Sequence, residues 1–485
     1  MRRLILGLVL QAILFAACTP TQTTSSVETQ SIVITDCVLT SPGVSTQVDA
    51  KCGSLAVSED PANPKSRQIN LRVAIIPAIQ RVPEADPLFI LAGGPGQSIV
   101  EAFPALYSSL FYIHQKRDII LVDQRGTGKS NPLRCIDSQD DVLDDQQTIA
   151  LLKTCPQKLN ADLRFYTTDI AMSDLDKVRA ALGYERINLY GISYGTRAAL
   201  VYLKMYPSHV RSIVLDAVVD PKFVIFQDVS SDAQHALELF FTRCEKDSAC
   251  NTTFPNLKSE FVAVLNKLNG TSVNVTIPHP VTGKPFSITV TPKIFTDIIF
   301  NALYMPDLVA MLPLSIHQAY AENNFAPLIT QSFLFDPGLY DGMFYSVTCN
   351  EDAPLLSSSQ PVQNDVQNIF GDIGKSFADV CSAWPHGNPP EVIHEPVTSS
   401  TPVLMFSGEA DPITPPWHAE QLTLTLANSL NLVFKNMGHG NSNTQCGSQI
   451  MEHFIDSASV KNLDITCVSA VEPPPFWVNF SGPQP

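Results

Sequence analysis

The chain has 485 residues, of which 45% are hydrophobic, 8% aromatic and 16% charged. That length supports a large buried core, as one big domain with an insertion or as two domains, and the composition excludes disorder, collagen and coiled coil. Lys and Arg total 31 against 47 Asp and Glu, and the net charge of -16 repels phosphate backbones, which argues against nucleic acid as a partner.

Arg2 and Arg3 precede an apolar run from Leu4 to Phe15, followed by Ala16, Ala17 and Cys18. The run is too short to span a bilayer and suits a secretory signal. Phe15-Ala16-Ala17-Cys18 resembles a bacterial lipobox, with Phe15 in place of the usual Leu. In a lipobox the Cys becomes the first residue and carries the lipid. Ordinary signal cleavage before Cys18 would put bulky Phe15 where a small residue is needed. Residues 1–17 are therefore expected to be a lipoprotein signal, with Cys18 as the lipidation site and membrane anchor. Residues 18–35, rich in Thr, Ser and Gln, read as a flexible tether. Eleven cysteines fit an oxidising compartment, and setting Cys18 aside leaves an even number. An exported bacterial protein, periplasmic or at the cell surface, is expected.

Short apolar runs follow at Leu71–Ile76, Leu88–Leu91, Asp118–Val122, Ile187–Tyr190 and Ser212–Leu215. Helical patterns at Asp169–Leu182 and Tyr194–Tyr206 lie between some of them. Strands alternating with helices predict a mostly parallel sheet covered on both faces. The alternation stops after Asp216. Helix candidates near Ala233–Lys246, Leu257–Leu268, Pro292–Leu303 and Leu308–Ala321 fill the next stretch. Strand runs resume at Val403–Phe406 and Leu432–Phe434, with a helical pattern at Pro416–Ala427 between them. The expected architecture is α/β: a core over 36–220 and 401–470, a mainly helical cap over 221–400, and a Pro-rich tail over 471–485.

Gly191-Ile192-Ser193-Tyr194-Gly195 runs from a strand into a helix. In such a turn both flanking residues must be Gly, and the Ser hydroxyl stands at a helix N-terminus beside a backbone N–H that can hold an oxyanion. A nucleophilic Ser needs a base and a group to orient it. Asp411 and His439 each sit in a loop after a strand, and the order Ser193, Asp411, His439 suits this chemistry. Of the other histidines, His418 and His453 fall within helical patterns, and His114, His209 and His235 precede or belong to them. Only His439 follows a strand between two glycines. Asp123 is the rival acid, but it precedes the Ser in the chain.

Ala92-Gly93-Gly94-Pro95-Gly96 is a second Gly-rich turn after a strand. Pro95 has no N–H, so Gly94 is the favoured second oxyanion donor beside Tyr194. Gly126-Thr127-Gly128-Lys129-Ser130 looks like the end of a phosphate-binding loop, but Asp123 stands where its first Gly belongs. No paired Cys-x-x-Cys or His-Glu-x-x-His spacing occurs, so neither metal nor cofactor is implied.

Gly93-Gly94-Pro95-Gly96, Asp123-Gln124-Arg125-Gly126-Thr127-Gly128-Lys129-Ser130 and Gly191-Ile192-Ser193-Tyr194-Gly195 resemble the prolyl aminopeptidase family of α/β-hydrolases. The secreted tripeptidyl-aminopeptidase-like branch is the most similar, through Cys349-Asn350-Glu351-Asp352, Cys381-Ser382-Ala383-Trp384-Pro385, Gly408 to Pro412 and Gly438-His439-Gly440. Ala92 departs from the His found there in many prolyl aminopeptidases, which points away from narrow Pro specificity. The resemblance covers about Leu71 to Cys467. It implies the α/β-hydrolase fold and serine exopeptidase chemistry on peptides with a free N-terminus.

Paired carboxylates in a partly dry pocket bind an ammonium well, so Glu351 and Asp352 are candidate substrate ligands. A solvated acidic turn is the plainer alternative. Trp384 is expected in the core, and Asp123 and Arg125 are expected to pair beneath the site loops. Five disulfides between sequence neighbours are expected: Cys37–Cys52, Cys135–Cys155, Cys244–Cys250, Cys349–Cys381 and Cys446–Cys467. Spacing alone does not fix that connectivity. An ester hydrolase with the same triad, and a binding module that keeps the fold, are the competing functions.

Overall fold

A computed structural model describes residues 32–136, 145–335, 338–356, 369–371 and 373–484. Cys18, the signal segment and most of the tether lie outside the described residues. Strands β1 (Thr35–Ser41), β2 (Val44–Ser58), β3 (Gln68–Ile76), β4 (Leu88–Leu91), β5 (Ile119–Val122), β6 (Ile187–Ile192) and β7 (Val210–Asp216) precede the insertion. Within the insertion lie β8 (Val273–Pro278) and β9 (Pro285–Val290), and after it β10 (Val403–Gly408) and β11 (Ser429–Phe434). The main sheet runs β1-β2-β3-β5-β4-β6-β7-β10-β11. From β5 to β11 all neighbours are parallel, while β1, β2 and β3 add an antiparallel edge.

The central strands read as unbroken apolar runs because helices cover both faces. Strand geometry still divides them residue by residue. Phe89 and Leu91 enter the core cluster on one face, and Leu88 and Ile90 the cluster on the other. Leu189 and Tyr190 divide in the same way.

The sequence reading contains no strand before Leu71, yet β1 and β2 form a hairpin joined by the Cys37–Cys52 disulfide. Most of its exposed positions are Thr, Ser, Gln and Asp, which hide the pattern, while Val48, Ala50, Leu55 and Val57 face inward. The end of the expected tether is already packed: a Cβ on Gly53 would meet Ile32 Cγ2 and the Val33 carbonyl at 2.6 Å.

Residues 221–400, expected as one helical cap, divide between two cores. Helices Val229–Lys246, Leu257–Gly270, Pro292–Leu303 and Pro306–Glu322 share a core of their own around Phe240, Phe261, Phe295 and Ile316. The β8–β9 hairpin belongs to this part, its strands carrying the period-2 alternation of Val273-Asn274-Val275-Thr276-Ile277. From Tyr340 onward the chain returns to the main sheet, where Met343, Phe377 and Trp384 join the α/β core cluster. Trp384 is buried there and donates to Ser346 Oγ at 3.2 Å. All five neighbour disulfides are formed. The Pro-rich tail crosses onto the insertion: Phe476 lies in its core, against Phe240 and beneath the Arg243 guanidinium.

Candidate active site

Ser193 directly follows β6 and caps the helix Tyr194–Met205 with φ 55° and ψ −124°, a backbone conformation that costs a non-glycine residue free energy. The surroundings hold it there. A Cβ on Gly191 would sit 2.3 Å from the Gly195 carbonyl oxygen, and a Cβ on Gly195 would sit 2.1 Å from that of Leu91. Only two glycines let strand and helix approach so closely. The Tyr194 N–H falls in the first helical turn, whose amides have no partner within the helix.

The second glycine turn lies against Ser193. A Cβ on Gly93 would come within 3.2 Å of Ser193 Cβ, and Gly94 turns the loop at φ 102°. The loop is braced by Gln97, whose N–H donates to the Gly93 carbonyl at 3.3 Å. Tyr194 thus opens the helix directly after Ser193, and Gly94 lies in the loop that packs against Ser193 through Gly93.

Asp411 and His439 come from the loops after β10 and β11. His439 Nδ1 lies 2.8 Å from Asp411 Oδ2. Asp411 is fully buried and accepts from the amides of Ile413 and Thr414 at 3.0 Å each. Thr414 Oγ1 donates to Asp411 Oδ2 at 2.7 Å and stands 3.2 Å from His439 Nδ1. Burial opposes ionisation of Asp411, but the charge and hydrogen bond of His439 and the two amides outweigh it and hold the carboxyl below its ordinary range. Burial likewise opposes an imidazolium, and Asp411, aided by Asp216, more than offsets this and raises the His439 pKa. The insertion closes over His439: its backbone N–H donates to the Tyr304 carbonyl at 2.9 Å, and the two rings meet edge-on at 5.1 Å.

Residues 86–240 match the family model for the alpha/beta hydrolase fold, and residues 367–467 match the TAP-like protein model. The chain has the α/β-hydrolase fold. Over 429 residues it is 26% identical to the serine protease Hip1 of Mycobacterium tuberculosis, across 80% of this chain and 81% of that one. Over 192 residues it is 33% identical to the tripeptidyl aminopeptidase of Streptomyces coelicolor, 35% of each chain. A proline iminopeptidase of Xylella fastidiosa is 29% identical over 136 residues, 28% of this chain and 33% of that one.

Two expectations need correction. Glu351 and Asp352 are both fully buried beneath the hydrolase core, with no solvent exposure. Asp352 pairs with Arg197 Nη1 at 3.0 Å and accepts from the Ile225 amide at 2.9 Å. Glu351 accepts from the Thr168 amide at 2.6 Å and the Thr168 hydroxyl at 2.9 Å. The Asp352 charge is paired with Arg197 and the Glu351 oxygens are held by Thr168, so neither residue presents an exposed oxygen to a substrate ammonium. Asp123 and Arg125 do not pair either. Asp123 accepts from Ser98 Oγ at 2.6 Å and the Val100 amide at 3.1 Å, while Arg125 grips Asp174 at 2.6 Å.

Sequence reasoning missed Asp216, Thr414 and Tyr304. Asp216 carried a signal, since it follows a strand run of the parallel sheet as Asp411 does, and functional residues gather at such ends. Nothing in the sequence marks Thr414 or Tyr304, whose proximity to His439 depends on the path of the loop and the insertion.

Proposed function

We propose that the protein is an exported serine aminopeptidase that releases single residues or short N-terminal peptides from peptides with a free N-terminus. The observation that carries this reading is the 2.8 Å contact of Asp411 with His439, in the loops after β10 and β11, which β7 separates from the strand that leads into a strained Ser193. Relatives named serine protease, tripeptidyl aminopeptidase and proline iminopeptidase support the peptide bond as its target.

In this reading Ser193 Oγ attacks the scissile carbonyl carbon while its proton passes to His439 Nε2. The carbonyl oxygen takes up negative charge facing the N–H groups of Tyr194 and Gly94. The C–N bond then breaks, and His439 returns the proton to the leaving amine. Water repeats the sequence on the acyl-enzyme and frees Ser193. Asp411 keeps the proton on Nδ1, so that Nε2 is the basic nitrogen. Tyr304 shields the imidazole from water, which strengthens each of these interactions.

The alternative is a carboxylic-ester hydrolase using the same three residues. One chromogenic leaving group on short peptides, with and without an N-acetyl cap, separates the two. In an aminopeptidase, capping should lower kcat/KM by about tenfold or more, because the charge-assisted hydrogen bonds through which such an enzyme recognises a free N-terminus are lost. Equal rates would favour an esterase or an endopeptidase. Cys18 is proposed to carry a lipid that holds the enzyme at a membrane. Mass spectrometry of the mature N-terminus should find a diacylated Cys18, and an unmodified N-terminus elsewhere would refute the anchor.

A further inference from the structure

Asp216 is the last residue of β7, which lies between the strand that delivers Ser193 and the strand that leads to Asp411. In register it faces Ile192 of β6 on one side and Phe406 of β10 on the other. Its backbone carbonyl accepts the Ser193 N–H at 2.8 Å, and the next amide, of Ala217, donates to the Phe406 carbonyl at 3.0 Å. Its side chain reaches across to the loop after His439. Oδ1 accepts from the Asn441 amide at 2.8 Å, and Oδ2 accepts from the Ser442 amide at 2.8 Å and from Ser442 Oγ. Ser442 Oγ in turn meets the hydroxyl of Tyr190, on β6. A Cβ on Gly440 would sit 3.9 Å from Asp216 Oδ2, so the carboxylate lies against the residue that follows the base.

We infer that Asp216 is a positioning residue that fixes His439 relative to Ser193, its carbonyl holding the nucleophile and its carboxylate holding the segment Gly440–Ser442. The inference rests on the serine-hydrolase reading of Ser193. Two amides and a hydroxyl aim at a side chain that is 2% exposed, and a carboxylate is the group that accepts from all of them. Asn of the same shape would turn N–H groups toward at least one of these donors. A second effect follows from charge. The ionisable groups facing His439 are Asp411 from the loop after β10, Asp216 from β7 and Tyr304 from the insertion, with Asp232 of the helix Val229–Lys246 beyond Asp411. Burial raises the Asp216 pKa, while Ser442 and the Asn441 amide oppose that rise. Where Asp216 is ionised it adds to Asp411 in favouring the imidazolium.

The test is the rate at which a fluorophosphonate modifies Ser193 in the full mature protein, followed from acid to neutral pH. This probe reads activation of the serine whether the natural substrate is a peptide or an ester. Asp216→Asn should react about ten- to a hundredfold more slowly. Its acidic limb should also move to lower pH by about half a unit or more, because a negative charge near the imidazole is gone. Unchanged rate and unchanged limb in a folded Asp216→Asn protein would overturn the assignment. Ser442→Ala provides the second arm, should Asp216→Asn fail to fold. It removes one donor and keeps the charge, so the rate should fall about threefold or more with the limb in place. A wild-type rate in Ser442→Ala, with Asp216→Asn unfolded, would also overturn it. Failure of the unmodified protein to label at Ser193 would instead sink the serine-hydrolase reading, and the role of Asp216 with it.

Discussion

Arg197 and Asp352 meet at 3.0 Å with both side chains excluded from solvent. The pair joins the helix that begins at the nucleophile to the helix Asp341–Glu351, so it fastens the returning part of the insertion to the catalytic core. Arg197 also donates to the Phe223 carbonyl at 2.6 Å. A buried pair is costly to break because the surviving charge loses its partner.

Asp352→Asn should therefore destabilise the protein by about 3–5 kcal/mol, read as a lower urea midpoint. The ratio of kcat/KM for free and capped peptides should stay unchanged in whatever fraction folds. A stable variant with a collapsed ratio would restore Asp352 as a substrate ligand.

Glu351 should make stability depend on pH. Burial pushes its pKa up to about 8, with the nearby Asp352 adding to the rise while Arg197 and Thr168 oppose it. A carboxyl raised in the folded state contributes stability that is complete below its unfolded value of 4.5 and is lost as pH rises through about 8. Unfolding free energies of Glu351→Gln and the parent should thus diverge between pH 5 and 8. The parent should lose at least about 1 kcal/mol relative to the variant. Parallel curves would contradict the shift.

Ser193→Ala should keep the parent melting temperature and lower kcat by roughly 10⁴-fold or more, since nucleophile and base act as a unit. The parent's kcat/KM should fall on acidification, because the base must be neutral. With Asp411 and Asp216 outweighing burial, that limb should lie above the ordinary imidazole value of 6.5. A limb below it would show that burial dominates.

Phe476 should matter more than a tail residue usually does. It is 2% exposed within the core of the insertion, and the Arg243 guanidinium lies 4.1 Å from its ring centroid. Phe476→Ala should cost about 3–5 kcal/mol in urea unfolding. Limited proteolysis should then cut first between Val229 and Ser332, and a wild-type digestion pattern would argue against the tail as a clamp.

Much of this protein is legible in its sequence. The glycines around Ser193, and the loops that place Asp411 and His439 after strands, are local patterns dictated by backbone sterics and by the period of parallel strands. The parity of the cysteines pointed to disulfides but not to their partners, and the five neighbour pairs that were expected are bonded. These features are short in range, and a linear chain records them.

Long-range pairing decided the remainder. Glu351 and Asp352 read as an exposed acidic turn or a ligand pair, because their partner Arg197 lies more than a hundred residues away and nothing local announces it. The division of residues 221–400 between two cores depends on which apolar faces meet, and side-chain composition is the same for either outcome. Asp216 looks like any strand end until β6, β7 and β10 are set side by side. Only then do its carbonyl and its carboxylate fall between the nucleophile and the loop of the base. Sequence fixes which hydrogen-bonding groups a residue carries, and tertiary packing fixes which of them meet, since a buried polar group must find its partner wherever the fold brings one.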